Sequence, residues 1–164
     1  MMNLTVSDNE LVSMDAHTLA KKIAEREVSS VEVTQLFINQ IKKANGALNC
    51  FVEDRFEEAL EEAKRADAEI EKHGVGDKKL LGVPMSMKES FHVAGMKTTG
   101  GLVHRKEAIQ QQDADIVRLL KAEGAIILGK TNTPALCFCQ ETDNKLYGRT
   151  NNPWDVSRTP GGSS

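Results

Sequence analysis

The sequence predicts an α/β fold, because helical segments that end at glycine are followed by short apolar runs. This order occurs where a helix over residues 56–73 precedes the run 80–88, and again where a helix over 114–123 precedes the run 125–129. The 164 residues allow one domain of ordinary size. Hydrophobic side chains make up 40% of the chain, which excludes wholesale disorder.

The first two helices are predicted from their caps and their apolar spacing. Asp15 is suited to cap a helix that runs to about Glu27. Ser29-Ser30-Val31-Glu32 has the form of a capping box and opens a second helix. The apolar stripe of that helix continues until Gly46, which offers a stop.

The middle of the chain predicts two extended segments around a charged helix. The run 48–52 is short and apolar, as in a strand. The helix over 56–73 carries apolar residues on one face and mostly charged residues on the other, so the charged face is expected in solvent. The run 80–88 follows two glycines and predicts a buried extended segment.

In the last third of the sequence, one more helix and one more strand are followed by a long segment without regular periodicity. The helix over 114–123 stops at Gly124, and the run 125–129 predicts a buried strand. From Thr131 onward the periodicity disappears into a tract rich in Asn, Pro and Gly. Loops of that length inside a compact domain tend to be functional.

Charge and hydropathy limit the classes of binding partner and the cellular location that the sequence is compatible with. The net charge is −3 and no basic block is present, which argues against a nucleic acid or an anionic membrane as the main partner. No stretch approaches the about 20 apolar residues of a membrane span, and residues 1–10 lack the order of a signal peptide. A cytoplasmic protein is expected.

The cysteines predict reduced thiols rather than a disulfide framework or a metal site. Cys50, Cys137 and Cys139 are odd in number, in a chain large enough to bury a core without cross-links. Structural zinc sites usually need four ligands in CxxC-type pairs. Cys137 and Cys139 are therefore expected to be ordinary core cysteines.

Lys88 stands at the end of an apolar extended segment, where alternation places Met85 and Met87 on one face and Ser86 and Lys88 on the other. One interpretation is a strand-end lysine that reaches water. The other is a buried lysine, whose lowered pKa would make the neutral amine a proton acceptor.

Several short motifs in a fixed order carry a resemblance to a known family. They are Gly82-Val83-Pro84-Met85-Ser86-Met87-Lys88-Glu89, Thr98-Thr99-Gly100, Asp113-Ala114-Asp115, Gly124-Ala125, Gly129-Lys130-Thr131-Asn132, Asn152-Pro153-Trp154 and Pro160-Gly161-Gly162-Ser163-Ser164. Over about residues 15–164 their order and spacing resemble the amidase signature family.

The resemblance implies a Ser-Ser-Lys amide hydrolase built on a mixed β-sheet sandwiched between helices. Lys88 falls on the catalytic lysine, and Ser163 falls on the bridging serine, which is normally preceded by a cis peptide bond. Ser163 would accept a proton from the nucleophile while donating its own toward neutral Lys88. The implied partner is a small-molecule amide, with no cofactor and no metal.

Two departures from the family pattern stand out. Glu89 occupies a supporting position where the family usually has Asp. The nucleophilic serine and the oxyanion donors of the family lie beyond the position of Ser164. Residues 1–164 are therefore expected to be the amino-terminal part of a single amidase domain that ends in the Gly-Gly-Ser-Ser motif.

The substrate and the exact activity stay open at this point. Cys137 and Phe138 match positions that line the acyl pocket in members resembling fatty acid amide hydrolase, and core packing explains them almost as well. The glutaminase-type subunit of a tRNA-dependent amidotransferase is an alternative, which residues 133–137 disfavour because they lack the acidic, Phe-containing stretch expected there. A truncated, non-catalytic product is the third hypothesis.

Overall fold

The computed structural model describes residues 8–163 of the protein. The first seven residues, part of the segment in which no signal peptide is expected, lie outside the described residues. Ser164, the last residue of the Gly-Gly-Ser-Ser motif, also lies outside them.

Apart from the first helix, the described chain has its helices and strands in the order that the sequence predicts. The helices are α1 (Asp8–Val12), α2 (Ala16–Ala24), α3 (Ser30–Leu48), α4 (Phe56–His73) and α5 (Asp115–Ala122). The strands are β1 (Phe51–Asp54), β2 (Pro84–Lys88) and β3 (Ile126–Thr131), and short 3₁₀ turns occur at Val103–Arg105 and Ala135–Cys137. The expected caps form, since Asp15 accepts a hydrogen bond from the Thr18 amide and Ser29 and Glu32 make a complete capping box.

The three strands form one mixed sheet in the order β1-β3-β2. β3 is central, antiparallel to β1 and parallel to β2. Ile126 and Leu128 face one way and pack with residues of α3 and α4, whereas Ile127 faces the other way and packs with Val117 of α5. Helices therefore cover both faces of the sheet, and the predicted α/β class with a mixed sheet between helices is confirmed.

Gly129 allows β3 to pass close to its neighbour β1. Its φ is +151°, and a Cβ built at this position would lie 2.3 Å from the carbonyl oxygen of Glu53 and 2.8 Å from the Cα of Asp54. The pairing of β3 shifts register on both sides near this glycine. Only a residue without a side chain fits here.

Several element boundaries differ from the sequence-based expectation, since α2 ends at Ala24, β2 begins only at Pro84 and α3 runs on to Leu48. α3 passes through Gly46, which has open space around it, and ends at Leu48 with Asn49 in the left-handed conformation (φ 49°). The helix continues because Gly46 lowers helix propensity by only about 1 kcal/mol, which tertiary packing overrides. The short helix α1 carries no signal that the sequence analysis used.

No helix within residues 8–163 combines the length and the apolar character needed to cross a membrane.

Candidate active site

Lys88 lies at the carboxyl end of β2, in register with Thr131 of β3. Its neighbour Met87 is buried in the cluster on the α5 side of the sheet, as alternation predicts. The Lys88 side chain is half-buried, so it fits neither the fully buried base nor the fully solvated lysine of the two interpretations.

The thiol of Cys137 lies beside Lys88. Its sulfur is 3.2 Å from the hydroxyl oxygen of Thr133. Burial works against ionisation of the thiol, but hydrogen bonds from Thr133 and Ser90 and the charge and hydrogen bond of Lys88 outweigh it and lower the pKa of Cys137. The site therefore joins an amine, two hydroxyls and a polarised thiol.

The turn that carries Cys137 has an uncommon backbone. Leu136 (φ 52°) and Cys137 (φ 61°) are both left-handed, although neither is glycine. The amide of Leu136 donates a hydrogen bond of 2.9 Å to the carbonyl oxygen of Gly100, which secures the turn. Two successive left-handed residues turn the chain sharply at this point.

The expectation of core cysteines is wrong for this turn. Cys137 is half-buried, Cys139 is exposed, and the Phe138 side chain is 86% exposed. The chain reverses at the left-handed residues before Phe138, so the residues that follow lie at the surface instead of entering the core. Within residues 8–163, Phe138 does not pack in the core.

The Gly-Gly-Ser segment packs against the same stretch of chain. A Cβ at Gly162 would lie 3.0 Å from Cγ of Pro134 and 3.2 Å from the carbonyl oxygen of Cys139. The carbonyl oxygen of Gly161 accepts hydrogen bonds from the amide (3.0 Å) and the hydroxyl (2.8 Å) of Thr142. The peptide bond between Gly162 and Ser163 is cis.

Lys88 and Gly162, the residue before Ser163, thus both border the loop formed by residues 134–140. Lys88 approaches it at Cys137, and the Gly162–Ser163 segment approaches it at Pro134 and Cys139. Among the described residues, no hydrogen bond joins Lys88 directly to Ser163. The proton relay between these two side chains therefore stays a prediction.

Glu89, directly after Lys88, is completely buried and fully used as an acceptor. One carboxylate oxygen accepts from the amide and the hydroxyl of Thr99, and the other accepts from the amide of Gly100 at 3.0 Å. The Thr99 hydroxyl also lies 3.4 Å from the hydroxyl of Tyr147. Glu89 therefore connects the end of β2 to the segment that receives Leu136.

Lys130 is a buried lysine that the sequence analysis did not single out. It is 0% exposed, and its amine donates to the Glu89 carbonyl oxygen (3.1 Å), the Lys97 carbonyl oxygen and the Thr98 hydroxyl (2.7 Å). Burial lowers its pKa from 10.5 to about 8, against the opposing charges of Glu89 and Glu53. The available signal was a lysine at the end of an apolar run, the same signal that identified Lys88.

His92 and His104 are both exposed. Within the described part of the chain, no three His, Cys, Asp or Glu side chains are grouped so as to hold a metal ion.

Comparisons of the sequence with known proteins match amidases and a related amidotransferase subunit. The family model described as Amidase matches residues 32–164. The chain is 48% identical to fatty-acid amide hydrolase 2-B of Danio rerio over 162 residues, which cover 95% of this chain and 31% of that protein. It is 39% identical to the A-type subunit of the glutamyl-tRNA(Gln) amidotransferase of Mycolicibacterium gilvum over 155 residues, or 94% of this chain and 31% of that protein.

A solved structure of a fatty acid amide hydrolase superimposes with a TM-score of 0.89 at 31% sequence identity. The match covers 98% of this chain and 28% of that one. The chain thus spans about a third of the length of the curated relatives it matches.

Proposed function

The chain belongs to the amidase family, and on this premise we propose that it supplies Lys88 and Ser163 to an enzyme that hydrolyses a carboxylic amide to an acid and ammonia or an amine. Residues 1–164 would form the amino-terminal part of a single amidase domain. The coverage supports this: 95% of the chain aligns with 31% of the fatty-acid amide hydrolase 2-B sequence.

One observation carries the proposal. The lysine at the end of β2 and the cis Gly162–Ser163 bond both border the loop 134–140, although they are 75 residues apart in sequence. The family motifs assign the base and the bridging serine to these two positions. In the absence of substrate, catalytic hydrogen bonds are often long, and they tighten only in the complex with substrate.

The proposed mechanism moves one proton through two side chains. Ser163 accepts the proton of a nucleophilic serine and donates its own to the neutral amine of Lys88, so that the serine attacks the amide carbonyl. The proton then returns to the leaving nitrogen, and water hydrolyses the resulting ester by the same relay. The nucleophile and the oxyanion donors are expected in the part of the family domain that follows Ser164.

The turn at Cys137 and Phe138 is proposed to contact the acyl part of the substrate. The Phe138 ring is 86% exposed and Leu136 is 49% exposed, so two apolar side chains are accessible on either side of Cys137 in the sequence. Exposed aromatic and aliphatic groups at a site offer contact to hydrocarbon. An amide with an apolar acyl chain fits this surface better than a charged one.

The test is hydrolysis by the intact protein that carries residues 1–164. A panel of short, aryl and long-chain amides and glutamine is assayed by release of the amine, ammonia or acid. We expect Lys88→Met and Ser163→Ala to lower kcat by about 10²-fold to 10⁴-fold, the usual contribution of a general base. Lys78→Met, which removes an ion pair with Glu69 on the surface, is the matched control and should retain activity.

Two results would contradict the proposal. Full activity of Lys88→Met would remove Lys88 from the mechanism. No hydrolysis of any amide by the intact protein would favour the third hypothesis, a non-catalytic product.

A glutaminase-type subunit of an amidotransferase is the second candidate. The 39% identity to the Mycolicibacterium gilvum amidotransferase protein favours it. The 48% identity to fatty-acid amide hydrolase 2-B and the absence of an acidic side chain in residues 133–137 weigh against it. Hydrolysis of glutamine alone, among all amides of the panel, would select this candidate.

We also propose a cytoplasmic location. Cys50, Cys137 and Cys139 are unpaired, which is usual for proteins in a reducing compartment.

A further inference from the structure

Three buried or half-buried charged side chains converge on one segment, residues 97–101, which we call the Thr-Gly segment. Each comes from a different strand or from its end: Glu53 from β1, Glu89 from the residue after β2, and Lys130 from β3. The carboxylate of Glu53 accepts from the amide of Lys97 at 3.1 and 3.0 Å.

Glu89 and Lys130 hold the rest of this segment. Glu89 accepts from the amides of Thr99 and Gly100, and Lys130 donates to the Lys97 carbonyl oxygen and the Thr98 hydroxyl. All three N–H groups of the Lys130 ammonium have an acceptor, with the Glu89 carbonyl oxygen as the third. Side chains thus fix the segment at consecutive residues, in addition to the β-bridge between Lys97 and Ile109.

Burial of the Lys130 ammonium is unfavourable in free energy. Removing a charge from water costs several kcal/mol, which hydrogen bonds and opposite charges must offset. A methionine would occupy the same volume without that cost. The gain from the lysine is therefore geometric: it fixes the positions of three acceptors at once.

The Thr-Gly segment leads directly to the candidate site. The carbonyl oxygen of Gly100 accepts the amide of Leu136, and this bond secures the left-handed turn that places Cys137 beside Lys88. Lys130 also holds the carbonyl of Glu89, the residue after Lys88. One side chain therefore restrains both flanks of the site.

We propose that Lys130 is a positioning residue of the amidase site, which sets the distance between Lys88 and the turn at Leu136–Cys137 through the Glu89 carbonyl and the Thr-Gly segment. The proposal rests on the proposed function only for its effect on turnover. Its effect on the turn itself is measured independently of activity.

The experiment uses the intact protein with Lys130→Met, which keeps the length of the side chain and removes the ammonium. We expect kcat to fall by about tenfold to 10²-fold with a smaller change in KM, because displacing a reacting group by about 1 Å costs up to about 10²-fold in rate. Hydrogen–deuterium exchange at the Leu136 amide should accelerate in the same variant. Both are measured well below the unfolding temperature.

A second pair of variants is available if Lys130→Met does not fold. Thr98→Val removes one acceptor of the ammonium and keeps the shape of the side chain, whereas Thr98→Ser keeps the hydroxyl. We expect kcat to fall and Leu136 exchange to rise in Thr98→Val, and both to return toward wild type in Thr98→Ser. A merely structural role would not separate these two variants at temperatures where both are folded.

The control for general destabilisation is Ile38→Val, buried in the cluster between α3, α4 and the sheet. It should lower stability by about 1 kcal/mol and leave kcat and Leu136 exchange unchanged. The proposal is overturned if folded Lys130→Met or Thr98→Val keeps wild-type kcat and exchange, or if Ile38→Val reproduces their losses. If the wild-type protein hydrolyses no amide, the proposed function fails, and exchange at Leu136 still decides the role of Lys130.

Discussion

The sulfur of Cys137 and the hydroxyl oxygen of Thr133 lie 3.2 Å apart, and Lys88 stands next to the same sulfur. A thiol in this position senses the charge of the lysine that the family motifs assign as the base. The ionisation of Cys137 is therefore a measurable indicator of the state of Lys88.

Cys137 should react faster with iodoacetamide than Cys50 at neutral pH. The pKa of Cys137 is lowered by the contacts described above, whereas burial raises the pKa of Cys50, and the thiolate is the reactive form. Mass spectrometry of each cysteine-containing peptide over time gives both rates. Lys88→Met should lower the alkylation rate of Cys137 and leave the alkylation rate of Cys50 unchanged. Equal alkylation rates for the two thiols in the wild type would contradict the described arrangement of Cys137 beside Lys88.

The stability of the protein should contain a component from Lys130 that rises with pH. The pKa of Lys130 is about 8 in the folded chain and near 10.5 when unfolded, so between these values the unfolded state binds more protons. The free energy of unfolding then increases as pH rises from about 8 toward 10.5. Denaturant titrations of the wild type and of Lys130→Met across this pH range measure this contribution. The variant should lack the rise in the free energy of unfolding, because it has no ammonium group at this position. A parallel pH dependence of the two proteins would show that Lys130 is not the group responsible.

The same substitution at two glycines should have opposite effects on stability. Gly129→Ala places a methyl group against the backbone of β1 and should cost about 3 kcal/mol. Gly46→Ala has open space inside α3 and should stabilise the protein by about 0.5–1 kcal/mol. Chemical denaturation measures both changes. An unchanged free energy of unfolding in Gly129→Ala would mean that β1 and β3 do not approach as closely as described.

Ser29→Ala should lower the free energy of unfolding by about 1 kcal/mol, because it removes the hydroxyl that caps α3. Ser86→Ala, at an exposed position of β2, is the matched control and should change stability by less than about 0.5 kcal/mol. Equal effects of the two substitutions would show that the capping box contributes little in this context.

The fold was largely predictable because its signals are local. Asp15 and Ser29 open helices through bonds to amides three residues away, so sequence spacing is sufficient to find them. The left-handed pair Leu136 and Cys137 had no such signal, since its conformation depends on a bond to Gly100. That is why Cys137 and Cys139 were expected in the core.

The site was predictable in part, from motifs rather than from spacing. The peptide bond between Gly162 and Ser163 is cis, as the motifs imply, and the roles of Lys88 and Ser163 stay predictions. The role of Lys130 depends on carbonyl oxygens 33 and 41 residues away in sequence, which no local pattern contains. Long-range backbone contacts of this kind appear only once the sheet order is known.

The central position of β3 constrains the order of events during synthesis. Within residues 8–163, β1 and β2 are not neighbours and each pairs only with β3, the last of these three strands in the sequence. Neither can find its partner until residue 131 has left the ribosome, while α3 and α4 can already pack together. β1 and β2 therefore remain unpaired until β3 has been synthesised. Binding of a chaperone would protect the chain most during this interval.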